Sequence, residues 1–145
     1  MVCTVKYGKT NTFFLREGLL IDTDFAGTLP AFFRAIKRND IKISDIQYCL
    51  ATHYHPDHCG LMSELMELGV KLVLIENQIN SIHFSDEIFA RMTDLHYKPI
   101  QGEKALSISF AGSRLFLRSL GIEGEIFPTR IHSDDGIAVS LDSGE

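Results

Sequence analysis

His53, His55, Asp57 and His58 place four metal-binding side chains within six consecutive positions of the stretch Thr52-His53-Tyr54-His55-Pro56-Asp57-His58-Cys59-Gly60. Neutral imidazole is the commonest metal ligand among side chains, and carboxylate suits the same borderline cations. The chemistry open to such a set is therefore the binding of one or two divalent metals. In extended backbone, residues two apart project to the same side, so His53 and His55 can hold one cation between them. Pro56 keeps the residue before it out of the helical region, which preserves that pair's extension. Asp57 and His58 fall where a helix begins and can face a second cation beside the first. A histidine-rich polar surface loop is the alternative explanation of the same residues.

The flanking segments decide whether these side chains can be positioned. Ile46-Gln47-Tyr48-Cys49-Leu50-Ala51 reads as a strand running into the loop. Behind the loop, a helix is predicted from about Asp57 to Leu68, stopped by Gly69. Leu61, Leu65 and Leu68 form its core-facing stripe, with Met62 and Met66 beside them as filler. Lys71-Leu72-Val73-Leu74-Ile75 is the returning strand, so the motif sits at the carboxyl end of the first strand of a βαβ unit, where open sheets commonly bind ligands. Cys59 adjoins His58, but neighbouring helical side chains diverge by about 100°, so it is expected to pack inward.

Upstream, residues 2 to 7 and 12 to 16 read as strands joined by Gly8-Lys9-Thr10-Asn11, and Leu19-Leu20-Ile21 is a third strand ending in Asp22-Thr23-Asp24. Thr28 is a candidate cap for a helix with Pro30 in its first turn and Phe32, Phe33 and Ile36 on its apolar side. Asp24 reads as an ordinary loop residue. Between residues 76 and 104, the apolar positions Ile79, Ile82, Ile88, Phe89 and Met92 suggest one or two helices, the second starting at Ser85. His83 and His96 have no partner at metal spacing and read as ordinary histidines. A strand at 105 to 109, a helix from Ser113 to Leu120, and a strand at 137 to 141 follow.

The H-x-H-x-D-H pattern resembles the metal motif of the metallo-β-lactamase superfamily. Two further segments carry the resemblance. Leu20-Ile21-Asp22-Thr23 is similar to the family's "LIDTG", and Pro128-Thr129-Arg130-Ile131-His132-Ser133 to its "PTPGHS", with Arg130-Ile131 in place of the usual Pro-Gly. The resemblance implies an α/β fold, the αββα sandwich with two mixed sheets face to face and helices outside, formed by one domain over 1–145 with its C-terminal portion missing. It implies a metal-dependent hydrolase in which metal-bound water attacks an ester, thioester, lactam or phosphoester. His53, His55 and His132 would hold the first metal, and Asp57 and His58 the second. Asp57 would also orient the water or take its proton, and Asp22 would support the metal loop from behind. The metal would be zinc, one or two ions, with iron or manganese also suited to the ligands. Four of the six histidines then fall in or near metal motifs, which chance clustering explains poorly.

Composition narrows the rest. The 145 residues are 45% hydrophobic and 23% charged, an ordinary globular balance able to bury one core. A net charge of −5 argues against a nucleic-acid surface, and no apolar run approaches the ~20 residues that cross a bilayer. Three widely spaced cysteines and an N-terminus without a signal-peptide pattern imply reduced thiols and a cytoplasmic protein, and the family resemblance implies a small-molecule substrate. The family's bridging Gly-Asp and last histidine have no counterpart before Glu145. The sequence is then a fragment, a truncated product, or a chain completed by something else. An incomplete family member acting as a binding or assembly module is the alternative to an enzyme. An unfinished apolar strand at 137 to 141 is an open edge, so a homodimer through residues 137 to 145 is expected.

Overall fold

The computed structural model describes residues 2–95, 97–130 and 133–144. Six strands form one mixed sheet in sequential order: β1 (Val2–Lys6), β2 (Asn11–Leu15), β3 (Leu19–Ile21), β4 (Tyr48–Leu50), β5 (Lys71–Ile75) and β6 (Leu106–Ile108). The first three run antiparallel through tight turns. The last four, β3 to β6, run parallel. Parallel strands covered on both faces read as continuous apolar runs, and Leu19, Leu20, Leu50, Leu72 and Val73 are all fully buried.

Alternation along those strands feeds two cores. Leu20, Cys49, Leu72 and Leu74 point to one face, where helices α1 (Leu29–Arg38), α2 (Pro56–Cys59) and α3 (Met62–Glu67) bring Phe32, Ile36, Cys59, Met62 and Leu65. Leu19, Leu50, Val73 and Ile75 point to the other, against Phe116 and Leu117 of a helix at Ser113–Ser119 and Ile126 and Ile137 of a second sheet. Each fully buried Leu or Phe contributes about 1.5–3 kcal/mol, so both layers are needed to hold the sheet. In chain order a short helix, α4 (Asp86–Ala90), follows β5, and the Ser113–Ser119 helix is α5.

The second sheet pairs β7 (Gly124–Pro128) with β8 (Ile137–Leu141) in antiparallel register. β8 thus has a neighbour along one edge, and among the described residues no strand lies along the other. An apolar groove of about 520 Å³ runs between β8 and the β1–β3 face, lined by Val2, Phe13, Leu15, Ile21, Val139 and Leu141. Asp142 lies at the turn after β8, where its carboxylate accepts two hydrogen bonds from Arg114 at 2.7 and 3.2 Å. Among the described residues, no helix is long and apolar enough to cross a membrane.

The helix predicted from Asp57 to Leu68 is broken at Gly60-Leu61 into α2 and α3. Distant residues take the backbone groups that a continuous helix would pair. Asp57 O accepts from Thr10 Oγ1 at 2.7 Å, His58 O from Thr23 N at 3.1 Å, and Leu61 N donates to Thr23 Oγ1 at 3.1 Å. Gly60 allows this because its Cα lies against the backbone of Asp24, Phe25 and Ala26. Gly60→Ala is therefore expected to cost about 3 kcal/mol in denaturant unfolding, since rigid backbone must move to admit the methyl. A loss below about 0.5 kcal/mol, typical of an indifferent surface site, would contradict that packing.

Four smaller expectations are corrected. Leu68 is 46% exposed and Phe33 38%, so neither completes its stripe. α3 ends at Glu67, and the chain leaves through Gly69 at φ +97°. There Gly69 N donates to Met66 O and Val70 N to Leu65 O, a Schellman closure that buries Val70 in place of Leu68. Thr28 precedes α1 but gives it no side-chain cap; its hydroxyl donates to Phe25 O at 2.6 Å. Asp24 is a buried joint and no mere loop residue: its carboxylate accepts from Thr10 N at 2.9 Å and from its neighbour Phe25 N at 2.7 Å.

Candidate metal centre

β3 and β4 end level with each other, Ile21 opposite Leu50, so the segments that follow them meet. Asp22 turns into the left-handed region at φ 65°, a conformation that Asp and Asn tolerate better than other side chains. Its own N–H donates to Leu50 O at 2.8 Å. Its carboxylate, 4% exposed as a residue, accepts from Thr52 N at 2.7 Å and from Thr52 Oγ1 at 2.8 Å. The same carboxylate lies 2.9 Å from His58 Nδ1. One buried side chain thus fixes both the start of the loop and the histidine at its end.

These contacts set tautomers. With His58 Nδ1–H donating to Asp22, the lone pair is on Nε2, which lies 3.5 Å from Asp57 Oδ2. Thr52 Oγ1 gives its proton to Asp22 and lies 3.1 Å from His53 Nδ1, so that nitrogen donates to it and Nε2 again carries the lone pair. The carboxylate-to-histidine contact is the kind of outer partner that orients a ligating imidazole. His55 is extended at φ −73°, ψ 152°, with Pro56 opening α2, as the motif implies.

The three rings gather. His53 and His55 are 4.6 Å apart between centroids, and His53 and His58 4.1 Å. Burial, reinforced by the neighbouring His58 and His55, lowers the pKa of His53 and favours its neutral, ligand-competent form. At His58 burial also acts to lower the pKa, but the hydrogen bond and charge of Asp22, with Asp57 and Asp24, outweigh it and the net shift is upward. Asp57 stands at the mouth with its side chain 54% exposed. His53, His55, Asp57 and His58 line one cleft of about 420 Å³.

His132 lies outside the described residues, as does His96. The residues flanking His132, Thr129 and Ser133, line the same cleft as His53 and His55. Among the described residues no group of three or more His, Cys, Asp and Glu side chains is drawn up into a metal site. The donor types present still fit zinc: imidazole nitrogens, one open carboxylate, and an outer carboxylate on His58. Cys59 faces the core, where burial pushes its thiol up to about 12, so it is no thiolate ligand. His83 is an exposed residue paired with Asp86 at 2.8 Å.

Several residues of this neighbourhood carry no sequence signal. Asp135 is buried and accepts from Tyr54 N at 2.7 Å. Gln78, within the 76 to 104 stretch, is fully buried and donates to Ala51 O at 2.7 Å. Ser85 precedes α4 as expected, yet its hydroxyl donates to Tyr54 O at 2.6 Å and does not cap the helix. Phe84, 59% exposed, sets its ring 5.3 Å from that of His55. The doubled Asp134-Asp135 before Gly136 was the one visible hint of a constrained turn.

A sequence profile of the metallo-beta-lactamase superfamily matches residues 6–140. The chain belongs to the metallo-beta-lactamase superfamily. Solved structures agree on the fold. A metallo-beta-lactamase with a HARLDQ motif from Cronobacter sakazakii superposes with a TM-score of 0.73 at 21% identity, over 99% of this chain and 58% of that one. MIM-1 from Novosphingobium pentaromativorans gives 0.67 at 17% identity, over 90% and 49%. The class B3 di-zinc metallo-beta-lactamase LRA-12 from an Alaskan soil metagenome gives 0.66 at 16%, over 93% and 52%. This metallo-beta-lactamase-fold chain therefore spans about half the length of the structures it resembles. Among curated proteins no significant sequence match exists.

Proposed function

We propose that the chain carries the metal-binding half of a metal-dependent hydrolase. The observation that carries this reading is the convergence of His53, His55 and His58 at the end of β4, backed by the buried Asp22 and opened to solvent at Asp57. In this reading His53, His55 and His132 hold the first metal, and Asp57 and His58 contribute to the second. Zinc is the default, with iron or manganese compatible with the same donors. A bound metal would supply an acidified water and polarise the scissile carbonyl or phosphoryl oxygen.

The chain's own residues then have separate tasks. Asp22 keeps the proton on His58 Nδ1, so that Nε2 presents its lone pair to the cleft. Thr52 does the same for His53. Asp57, open to solvent at the cleft mouth, orients a water or accepts its proton. The exposed ring of Phe84 beside His55 offers an apolar seat for part of a small-molecule substrate.

Metal analysis after dialysis against zinc-free buffer tests the binding half of the reading. The expected result is nearer one equivalent than two, since Asp57 and His58 alone make a weak second site. A panel of ester, thioester, lactam and phosphoester substrates tests the chemistry. Turnover that chelator abolishes and zinc restores supports the hydrolase. Retained metal without turnover of any of the four classes favours the binding or assembly module instead. A chain that retains no metal refutes both.

A further inference from the structure

We propose that Gln78 is a positioning residue of the metal centre, clamping the loop that contains His132 onto the loop that contains His53 and His55. The inference rests on the metal reading above. Gln78 lies just past the end of β5 and is fully buried, and its side-chain amide is used at both ends. Oε1 accepts from Ile75 N at 3.2 Å. Nε2 donates to Ala51 O at 2.7 Å and to Asp135 O at 3.3 Å. One amide therefore ties the carboxyl ends of β4 and β5 to the β7–β8 loop, across 27 and 57 residues of sequence.

Independent bonds complete the same clamp. Asn77 Nδ2 donates to Asp134 O at 3.1 Å and to Gly136 O at 3.2 Å. The buried Asp135 carboxylate accepts from Tyr54 N, between the two motif histidines, at 2.7 Å. Ile137 N donates to Thr52 O at 2.8 Å, and Thr129 N to Gly136 O at 2.9 Å. Residues on both sides of His132 are thus tied, directly or through one another, to residues on both sides of His53. The two loops belong to different sheets, so nothing in either strand ladder fixes their spacing. Imidazoles must converge to within hydrogen-bond-like distances to share a metal. A polar clamp with its partners at fixed lengths supplies that spacing, whereas apolar contact between the sheets would tolerate sliding.

Gln78→Leu removes the donor and leaves the volume nearly unchanged. Zinc affinity, read by competition with a chromophoric chelator, should fall about 10–100-fold, the usual loss when an outer partner of a ligand set is removed. Ile36→Val, a core change on α1, which contributes no residue to the cleft lining, should leave zinc affinity at the wild-type value, which separates positioning from general destabilisation. In the metal-free wild-type chain, hydrogen exchange should show the amides of Tyr54, Thr129 and Ile137 opening together as one unit. That measurement stands even if Gln78→Leu fails to fold. Wild-type zinc affinity in Gln78→Leu, an equal loss in Ile36→Val, or a Tyr54 amide that exchanges far faster than Ile137 would each overturn the inference alone. A wild-type chain that binds no zinc overturns the hydrolase reading, and this inference with it.

Discussion

Replacing His53 and His55 together by alanine is expected to abolish zinc retention while leaving the fold in place. The two rings sit 4.6 Å apart at the end of β4 and provide the first pair of imidazoles of the proposed centre. Losing one outer partner of a metal ligand costs about 10–100-fold in affinity, so losing two direct ligands should cost more than that. The fold should survive because neither ring is a core residue: both are partly exposed and line an open cleft. Removing them also relieves an unfavourable grouping, since burial and the neighbouring imidazoles already disfavour a charge on His53. Metal analysis after dialysis and circular dichroism on the same sample make the comparison. A double variant that holds zinc as tightly as the parent would place the metal elsewhere and end the assignment.

The second large effect is expected at Asp22, where two substitutions should separate folding from metal binding. Asp22→Ala leaves Thr52 N without its buried acceptor, at about 1–3 kcal/mol, and places alanine in a left-handed conformation for a further 1–2 kcal/mol or so. The sum, about 3 kcal/mol, is a large part of a small domain's stability. Asp22→Asn retains an oxygen for Thr52 N and tolerates φ 65°, so its folding cost should be clearly smaller. It loses the charge that holds the proton on His58 Nδ1. That proton is then free to move to Nε2 and block the ligating lone pair, so zinc affinity should fall about 10–100-fold. Denaturant unfolding and chelator competition read the two effects separately. An Asp22→Asn chain with unaltered zinc affinity would reduce Asp22 to a turn residue.

Much of this centre could be read from local pattern. The four candidate ligand residues in six positions, the strand before them and the proline within them are all neighbours in sequence, and neighbours in a strand have defined directions. The βαβ unit followed for the same reason: the apolar runs at 48–50 and 71–75 encode burial through their own periodicity. Asp22 was readable only through the family resemblance, since one aspartate after a strand is equally a turn residue.

What the sequence alone determined was therefore which candidate donors lie side by side, the strands that lead into them, and the two-faced burial of the sheet, because side-chain type and periodicity are local properties. Only the tertiary structure decided how the donors are held. The break at Gly60 depends on Thr10 and Thr23, whose hydroxyls reach α2 and α3 from 47 and 38 residues away. The clamp at Gln78 depends on carbonyls from two other loops. Leu68 lost its expected place to Val70 because the helix ended at Glu67 and its closure around Gly69 turned Val70 inward. In each case a buried backbone group had to find a partner, and several partners were available locally. The choice among them was made by which distant segment packed close enough to exclude water, and that is settled only when the whole chain is folded.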